Sequence, residues 1–368
     1  MINLLLSARD YGAAQCLKSV YRQAKLDSNF RIVIIAADPA YKLLKEVDSS
    51  TRYFPVAILN PSDNSEVARL EKKLHDVLDG FVPDVCCTGV GGFDCGIYEL
   101  VQKMFSHIPT YVLQDFWGYT NVQLGDFANG YFVVDNFAAK ITKQFSKAQT
   151  HIVGPFKYDH YFGCNHHVLR NIIRQQLGLG PEDRLIGYFG NRKTDLPGYL
   201  LTIKRFSSEV GHWFPSVKIG YRPHPGQLPE EVGKVLNILQ ESDCCVKLLD
   251  TLTLEEALLA CDGVVTCYTT CGFDNIMING SANVQLAPTL YLFYDEKMIN
   301  WYHQETSFNH IPGISEEVAL IVSDESDLQF QLEKMMEVSL KRQLWSNIQR
   351  SIPNPIDGAK MILNTISQ

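Results

Sequence analysis

"FRIVIIAADPAYKLLKEV", residues 30–47, decides how the rest of the chain is read. Its first part, 30–38, contains a continuous run of Ile, Val and Ala, 32–37, with no polar alternation. A strand of that kind is apolar on both faces, which suits a parallel sheet covered by helices on both sides. The second part, 39–47, has a helical period. The same couplet recurs outward in both directions. Upstream lie a strand, "INLLLSA" (2–8), and a helix, "GAAQCLKSVYRQAK" (12–25). Downstream, strands are predicted at 54–60, 84–90, 110–115, 131–136 and 150–154, with helices at 65–81, 96–108 and 137–147. This βαβα series is the signature of a doubly wound sheet.

After "GPFKYDHY" (154–161) the pattern restarts. A helix is predicted over 166–183, with strands at 184–191, 216–223, 244–250, 263–269 and 289–295. Helices are expected at 198–212, 228–240 and 253–262, from 274 onward, and finally over 328–349 and 355–367. The expected fold class is therefore α/β, with two Rossmann-like domains whose parallel sheets face a central cleft. The domains are 1–160 and 161–354, and a last helix, 355–368, packs back on the first. Ligands belong at the carboxyl ends of such strands, where loops and helix N-termini gather.

The chain has 368 residues, 46% hydrophobic and 20% charged, as soluble globular proteins do. A formal net charge of −8 gives no basic excess, so nucleic acid is not the expected partner. No apolar run reaches the ~18–20 residues of a membrane span, and "MINLLLS" lacks the build of a signal peptide. A cytoplasmic protein is expected. Ten cysteines without an export signal read as reduced thiols. Cys261, Cys267 and Cys271 cluster without the paired spacing or nearby histidine of a zinc site. Oligomeric state is open, a homodimer included.

Loops after strands carry the chemistry. "YRPHPG" (221–226) holds His224 between Pro223 and Pro225, with Arg222 before it. Two prolines stiffen the backbone. Histidine can donate to a phosphate oxygen, and arginine can grip one in a fork. "YFGNRKTD" (188–195) offers Gly190 for close approach and Arg192 as a cation. "TCYTTCGFDN" (266–275) places Thr269, Thr270 and Gly272 before a helix, a site for an anion, with Asp274 able to accept from ribose hydroxyls. "DTLTLEEALLACDGVV" (250–265) reads as scaffold. In the first half the candidates are acids. They are Asp10 in "SARDYGAA", Asp94 in the glycine-rich "GVGGFDCG", and Asp115 in "LQDFWGYTN" beside Trp117 and Tyr119. Any one of the three could serve as a general base.

The pattern resembles the GT-B glycosyltransferase fold and the related sugar-nucleotide 2-epimerases, hydrolysing and non-hydrolysing. The resemblance covers nearly the whole chain. It rests on "LRNIIRQQLGLGPEDRLIGYFGN", "THIVGPFKYDHY", "EEALLACDGVVTCYTTCGFDN" and the terminal "NPIDGAKMI". Within that fold, "RPHPG" is similar to the HP motif of bacterial sialyl-, polysialyl- and Kdo-type transferases. The resemblance implies that His224 contacts a donor phosphate and that Thr269 and Thr270 complete the grip. It implies an inverting transferase that needs no metal or other cofactor. The donor is a CMP- or UDP-sugar held by the second domain, and the acceptor is a carbohydrate or other hydroxyl held by the first. Asp94 stands slightly ahead of Asp115 as base. The rival expectations are an epimerase or hydrolase on the same fold, whose acids do not align cleanly with this chain, and a non-catalytic nucleotide-sugar-binding protein. Asp274–Asn275 also depart from the glutamate usual at the ribose position in the transferases.

Overall fold

The computed structural model describes the chain apart from residues 57, 91–93, 116–119, 162–163, 307 and 352–357, and the side chains of residues 160, 161 and 305. It divides into two compact units, Met1–His160 with Pro353–Gln368, and Tyr161–Ile352. Each is a Rossmann-like parallel sheet covered by helices, the class that the alternating pattern predicts.

The first unit has seven strands: β1 (Ile2–Ala8), β2 (Phe30–Ala36), β3 (Arg52–Tyr53), β4 (Val85–Gly89), β5 (Thr110–Leu113), β6 (Gly130–Val133) and β7 (Gln149–Ile152). Their order is β3-β2-β1-β4-β5-β6-β7, and every pairing is parallel. The helices are α1 (Tyr11–Lys25), α2 (Ala40–Val47), α3 (Asn64–Leu78), α4 (Ile97–Met104) and α5 (Asn136–Phe145). Successive side chains of a strand point to opposite faces. Leu4, Leu6 and Ala8 accordingly join a core that includes Ala13, Leu17 and Val20 of α1, whereas Leu5 joins one that includes Leu70 of α3 and Leu100 of α4. Both faces are dry, so an alternating strand would have buried polar groups.

The second unit opens with α6 (His166–Gln176) and has six strands: β8 (Arg184–Phe189), β9 (Val217–Arg222), β10 (Val246–Leu248), β11 (Gly263–Thr266), β12 (Thr289–Leu292) and β13 (Leu320–Val322). Their order is β10-β9-β8-β11-β12-β13. Its other helices are α7 (Tyr199–Trp213), α8 (Pro229–Gln240), α9 (Leu254–Ala260), α10 (Cys271–Ser281), α11 (Glu296–Thr306), α12 (Leu328–Met336) and α13 (Val338–Ser351). The "ACDGVV" turn is scaffold. Asp262 accepts from Arg170 Nη2 at 2.7 Å, Arg174 Nη1 at 3.0 Å and the Leu185 amide at 2.8 Å. One carboxylate thereby ties α6 to the start of β8.

The last helix, α14 (Gly358–Ile366), belongs to the first unit. Ile362, Leu363 and Ile366 are buried in the same core as Leu17 and Val20 of α1. A side chain at Gly358 would lie 2.5 Å from the Val153 carbonyl oxygen, so the helix can begin there only with glycine.

Several boundaries differ from the sequence reading. The strand expected at 54–60 does not form among its described residues; the strand here, β3, lies just before it, at Arg52–Tyr53. Phe54 still donates to the Ala36 carbonyl at 2.8 Å, and Pro55, next in line, has no N–H to continue the ladder. The helix expected over 328–349 breaks at Glu337, which is extended with ψ 128°. Helix α10 starts at Cys271, three residues before the expected 274. The "NPID" part of the terminal motif lies outside the described residues. Seven cysteines are buried, Cys164 and Cys271 are half-buried, Cys245 is exposed, and all ten are free thiols. Among the described residues no helix is long and apolar enough to cross a membrane.

Ile362→Ala should lower the stability of the first unit by about 2–5 kcal/mol, the usual cost of truncating a buried aliphatic side chain. Denaturant melts followed by a probe in that unit check this.

Candidate functional site

In both sheets the strand order turns back beside the first strand, at β1/β4 and at β8/β11. Loops leaving such a pair run to opposite sides and open a crevice at the strand ends. Asp10, Asp94, Gly190, Arg192, Thr269 and Thr270 lie on these loops, while Asp115 follows the next strand, β5, and Arg222 and His224 stand at the end of β9, beside β8.

In the second unit the RPHPG loop is a closed turn. Gln227 N donates to the His224 carbonyl at 2.9 Å, with Pro225 inside the turn. Gln227 Oε1 accepts from the His224 amide at 2.7 Å and from the Tyr221 hydroxyl at 3.1 Å. The imidazole is oriented from below, because the Gly226 amide donates to Nδ1 at 3.0 Å. Nδ1 must then carry the lone pair, and the proton of the neutral ring sits on Nε2. Burial, and then the charge of Arg192, hold the His224 pKa below its ordinary 6.5. At neutral pH the ring is an uncharged Nε2–H donor.

Neighbouring loops pack against this turn. The Gly190 amide donates to the Arg222 carbonyl at 2.9 Å. A side chain at Gly190 would meet Gln227 Oε1 at 3.1 Å, so glycine is what lets the two loops touch. Exposed Arg192 runs past Gly226, its Nε 3.5 Å from where a Cβ on that glycine would be. Arg222 has a different task. Its Nη1 donates to the carbonyls of Leu249 and Leu252 at 2.8 and 2.6 Å, pinning the loop between β10 and α9.

The two threonines also differ. Thr266 Oγ1 donates to the Phe189 carbonyl at 3.0 Å and lies 3.1 Å from Thr269 Oγ1, which itself accepts from the Cys271 amide at 3.2 Å. Thr269 is thus engaged inside the loop. Thr270 is exposed, stands at the N-cap of α10, and makes no side-chain cap. Its hydroxyl lies at the positive end of an 11-residue helix. Gly272 lets that first turn sit on β12, since a Cβ there would be 2.3 Å from the Tyr291 hydroxyl. Asp274 is only 8% exposed, and its neighbour Asn275 donates to Ala287 O and Thr289 Oγ1, both at 2.9 Å.

Sequence reasoning passed over Asn191. It follows Gly190, is 2% exposed, and its side-chain amide lies beside the Tyr268 hydroxyl. An asparagine after a strand carries no sign of that in sequence.

In the first unit the three aspartates lie on loops of neighbouring strands. They leave the adjacent strands β1, β4 and β5. Arg9, 6% exposed, pairs with Asp10 Oδ2 at 3.1 Å and donates to the Asp94 carbonyl at 3.3 Å. Asp115 lies against the first turn of α1, because a Cβ on Gly12 would be 1.7 Å from its Oδ2. Asp94 is exposed, and Asp10 and Asp115 are half-buried. Trp117, Tyr119 and the glycines at 91–92 lie outside the described residues.

A fourth acid stands below them. Glu99, at N3 of α4, is 2% exposed, and its Oε2 accepts from the Gly96 amide at 2.7 Å. Oε1 is buried without a hydrogen-bond partner among the described residues. Burial pushes its pKa up to about 8, against the pull of the nearby amides and Arg9. The G-x-x-E spacing in "GIYE" could have been read as a helix cap. Its burial could not.

No family model matches the sequence, and no curated protein matches it significantly. Solved structures share the fold. The UDP-GlcNAc 2-epimerase of Neisseria meningitidis, bound to UDP-GlcNAc, is 12% identical over 100% of both chains, with a TM-score of 0.66. The UDP-GlcNAc 2-epimerase of Methanocaldococcus jannaschii is 14% identical over 100% of both, also at 0.66. MurG of Acinetobacter baumannii is 12% identical over 99% of both, at 0.59. The fold is therefore GT-B-like. The structures that share the fold thus include UDP-GlcNAc 2-epimerases, the rival expectation of the sequence, as well as MurG.

Because the carboxyl of Glu99 rises from an ordinary 4.5 to about 8, folding takes up a proton there between those two pH values. Its contribution is fully present below pH ~4.5 and is lost as pH rises through ~8. Glu99→Gln should remove this slope and gain at most about 5 kcal/mol over wild type by pH 8. Melting temperatures at pH 5 and 8 for both proteins test it. Parallel curves would contradict the assignment.

Proposed function

We propose that the chain is a nucleotide-sugar enzyme, and that it inverts or releases the sugar of a UDP-sugar as a 2-epimerase or hydrolase does. The observation that carries this is His224, locked by Gly226 as a neutral Nε2–H donor beside Arg192. A fixed donor and a cation suit the phosphate oxygens of a nucleotide, both bound and leaving. Thr270 at the start of α10 supports the same ligand. Epimerisation requires that a proton be taken from one face of a sugar carbon and returned on the other. The group of Asp10, Asp94 and Asp115 in the first unit supplies more than one carboxyl for that exchange. The fold shared with 2-epimerases, one of them bound to UDP-GlcNAc, favours this over transfer. The leaving phosphate's charge is met by protein donors, so the proposed reaction needs no metal. A cytoplasmic location goes with it.

A second possibility, an inverting glycosyltransferase, is favoured by the RPHPG motif and by the fold shared with MurG. The two differ in their need for an acceptor. Incubating the chain with UDP-GlcNAc alone, followed by proton NMR, should give a C2 epimer or free UDP, equally well in EDTA. A donor that stays intact until an acceptor hydroxyl is added would favour transfer. Neither turnover nor any thermal shift with UDP or CMP would overturn both. His224→Ala should weaken UDP binding about 10- to 100-fold, the worth of a hydrogen bond to a charged group, as read by calorimetry.

A further inference from the structure

We propose that the groove between α1 and α2 in the first unit binds a small amphiphilic anion, a phosphate or carboxylate carried on an apolar body. The groove has a volume of about 460 Å³. That falls within the range of small-molecule sites, ~300–1,000 Å³. One wall is the second half of α1, with Tyr21, Arg22, Lys25 and Leu26, and the other is the second half of α2, with Leu43, Glu46 and Val47. Helices that connect parallel strands run back against them. These halves therefore lie towards the amino ends of β1 and β2, away from the loops that carry Asp10 and Asp94.

The floor of the groove is apolar and only partly covered. Leu17, Ala24 and Leu44 fill the core beneath the two helices, whereas Leu43 and Val47 are packed against that core but partly buried. Leu26, at the end of α1, is 81% exposed. Apolar surface left beside water is surface that a ligand can remove from it, at a gain proportional to the area covered.

The rim is cationic. Residues 11–47 hold six Lys and Arg against three Asp and Glu, in a chain whose net charge is −8. Arg22 and Lys25 are exposed, and neither makes an ion pair among the described residues. Lys25 lies over the Tyr21 ring, 6.0 Å from its centroid. Lys18 lines the groove one turn before Arg22. Of the acids nearby, Asp27 accepts from the Asn29 amide at 2.9 Å, and Asp48 from the Ser50 amide at 2.9 Å and its hydroxyl at 2.7 Å. Glu46 is the one carboxylate on the lining. The last turn of a helix suits cations. That accounts for the place of Arg22 and Lys25 on α1, but not for the apolar floor beside them. A cationic rim over an apolar floor fits a molecule with both characters. Arg22 takes the anionic head in a fork and Lys25 adds a second charge, while the body lies on Leu43 and Val47. A recessed groove suits a free molecule better than a flat bilayer.

The test uses the whole chain and octyl phosphate, below its micelle concentration. The methyl resonances of Leu26, Leu43 and Val47 should shift saturably in carbon–proton NMR. By calorimetry, the double variant Arg22→Gln/Lys25→Gln, altered only at exposed positions, should bind about tenfold more weakly or worse. Octanol and inorganic phosphate, each supplying half of the contacts, should bind about tenfold more weakly than octyl phosphate. Excess UDP should change neither reading. The absence of saturable shifts at these methyls overturns the proposal, as does an affinity unchanged in the double variant. Displacement by UDP overturns it by placing the probe at the nucleotide site. Shifts seen only with phosphatidylglycerol vesicles overturn it in favour of a membrane surface. A failure of UDP to bind counts against the proposed function alone.

Discussion

Where the strand order reverses decides which loops of each sheet stand apart, and most of the candidate residues lie on those loops. A parallel sheet must send each connection back over one face. If all connections took the same face, the loops at the strand ends would crowd each other. Reversal at β1/β4 and again at β8/β11 separates two neighbouring loops in each unit and leaves their backbone amides and carbonyls reachable. Gly12 and Gly190 sit at these two reversals. Each removes a side chain where another loop must pass, Asp115 in one case and Gln227 in the other.

The arginines nearest these reversals bind protein before they bind anything else. Arg9 joins an aspartate and a carbonyl from two loops, and Arg222 joins the carbonyls of Leu249 and Leu252. Carbonyls at loop ends have no strand partner, and a buried guanidinium satisfies several at once. Such residues set loop geometry. In the proposed function, contact with an anion falls instead to exposed Arg192 and to His224 Nε2.

The sheets were legible because burial on both faces writes itself into composition: "FRIVIIAAD" admits few other readings. The loops were legible as loops for the same reason, since strand ends and prolines delimit them. What each loop residue does was less so. Thr269 and Thr270 are identical in sequence, yet one is held by Thr266 and Cys271 while the other faces outward. Asp274 looks available and is buried, and Glu99 looks like a simple cap and is a buried acid. In each case the deciding neighbour is distant in sequence, so no local pattern encodes it. The break at Glu337 is similar: both sides have a helical period, and only the backbone of that residue separates them.

The place of α14 has a consequence for biosynthesis. Most of the first unit is made before the second, but Ile362, Leu363 and Ile366 that close its core are made after it. At roughly 5–20 residues per second, the intervening second unit takes on the order of 10–40 s to emerge. Throughout that interval the face of α1 around Leu17 and Val20 lacks its cover. The second unit, made later, contains all of its own strands and helices and can finish earlier. The order of completion is thus the reverse of the order of synthesis.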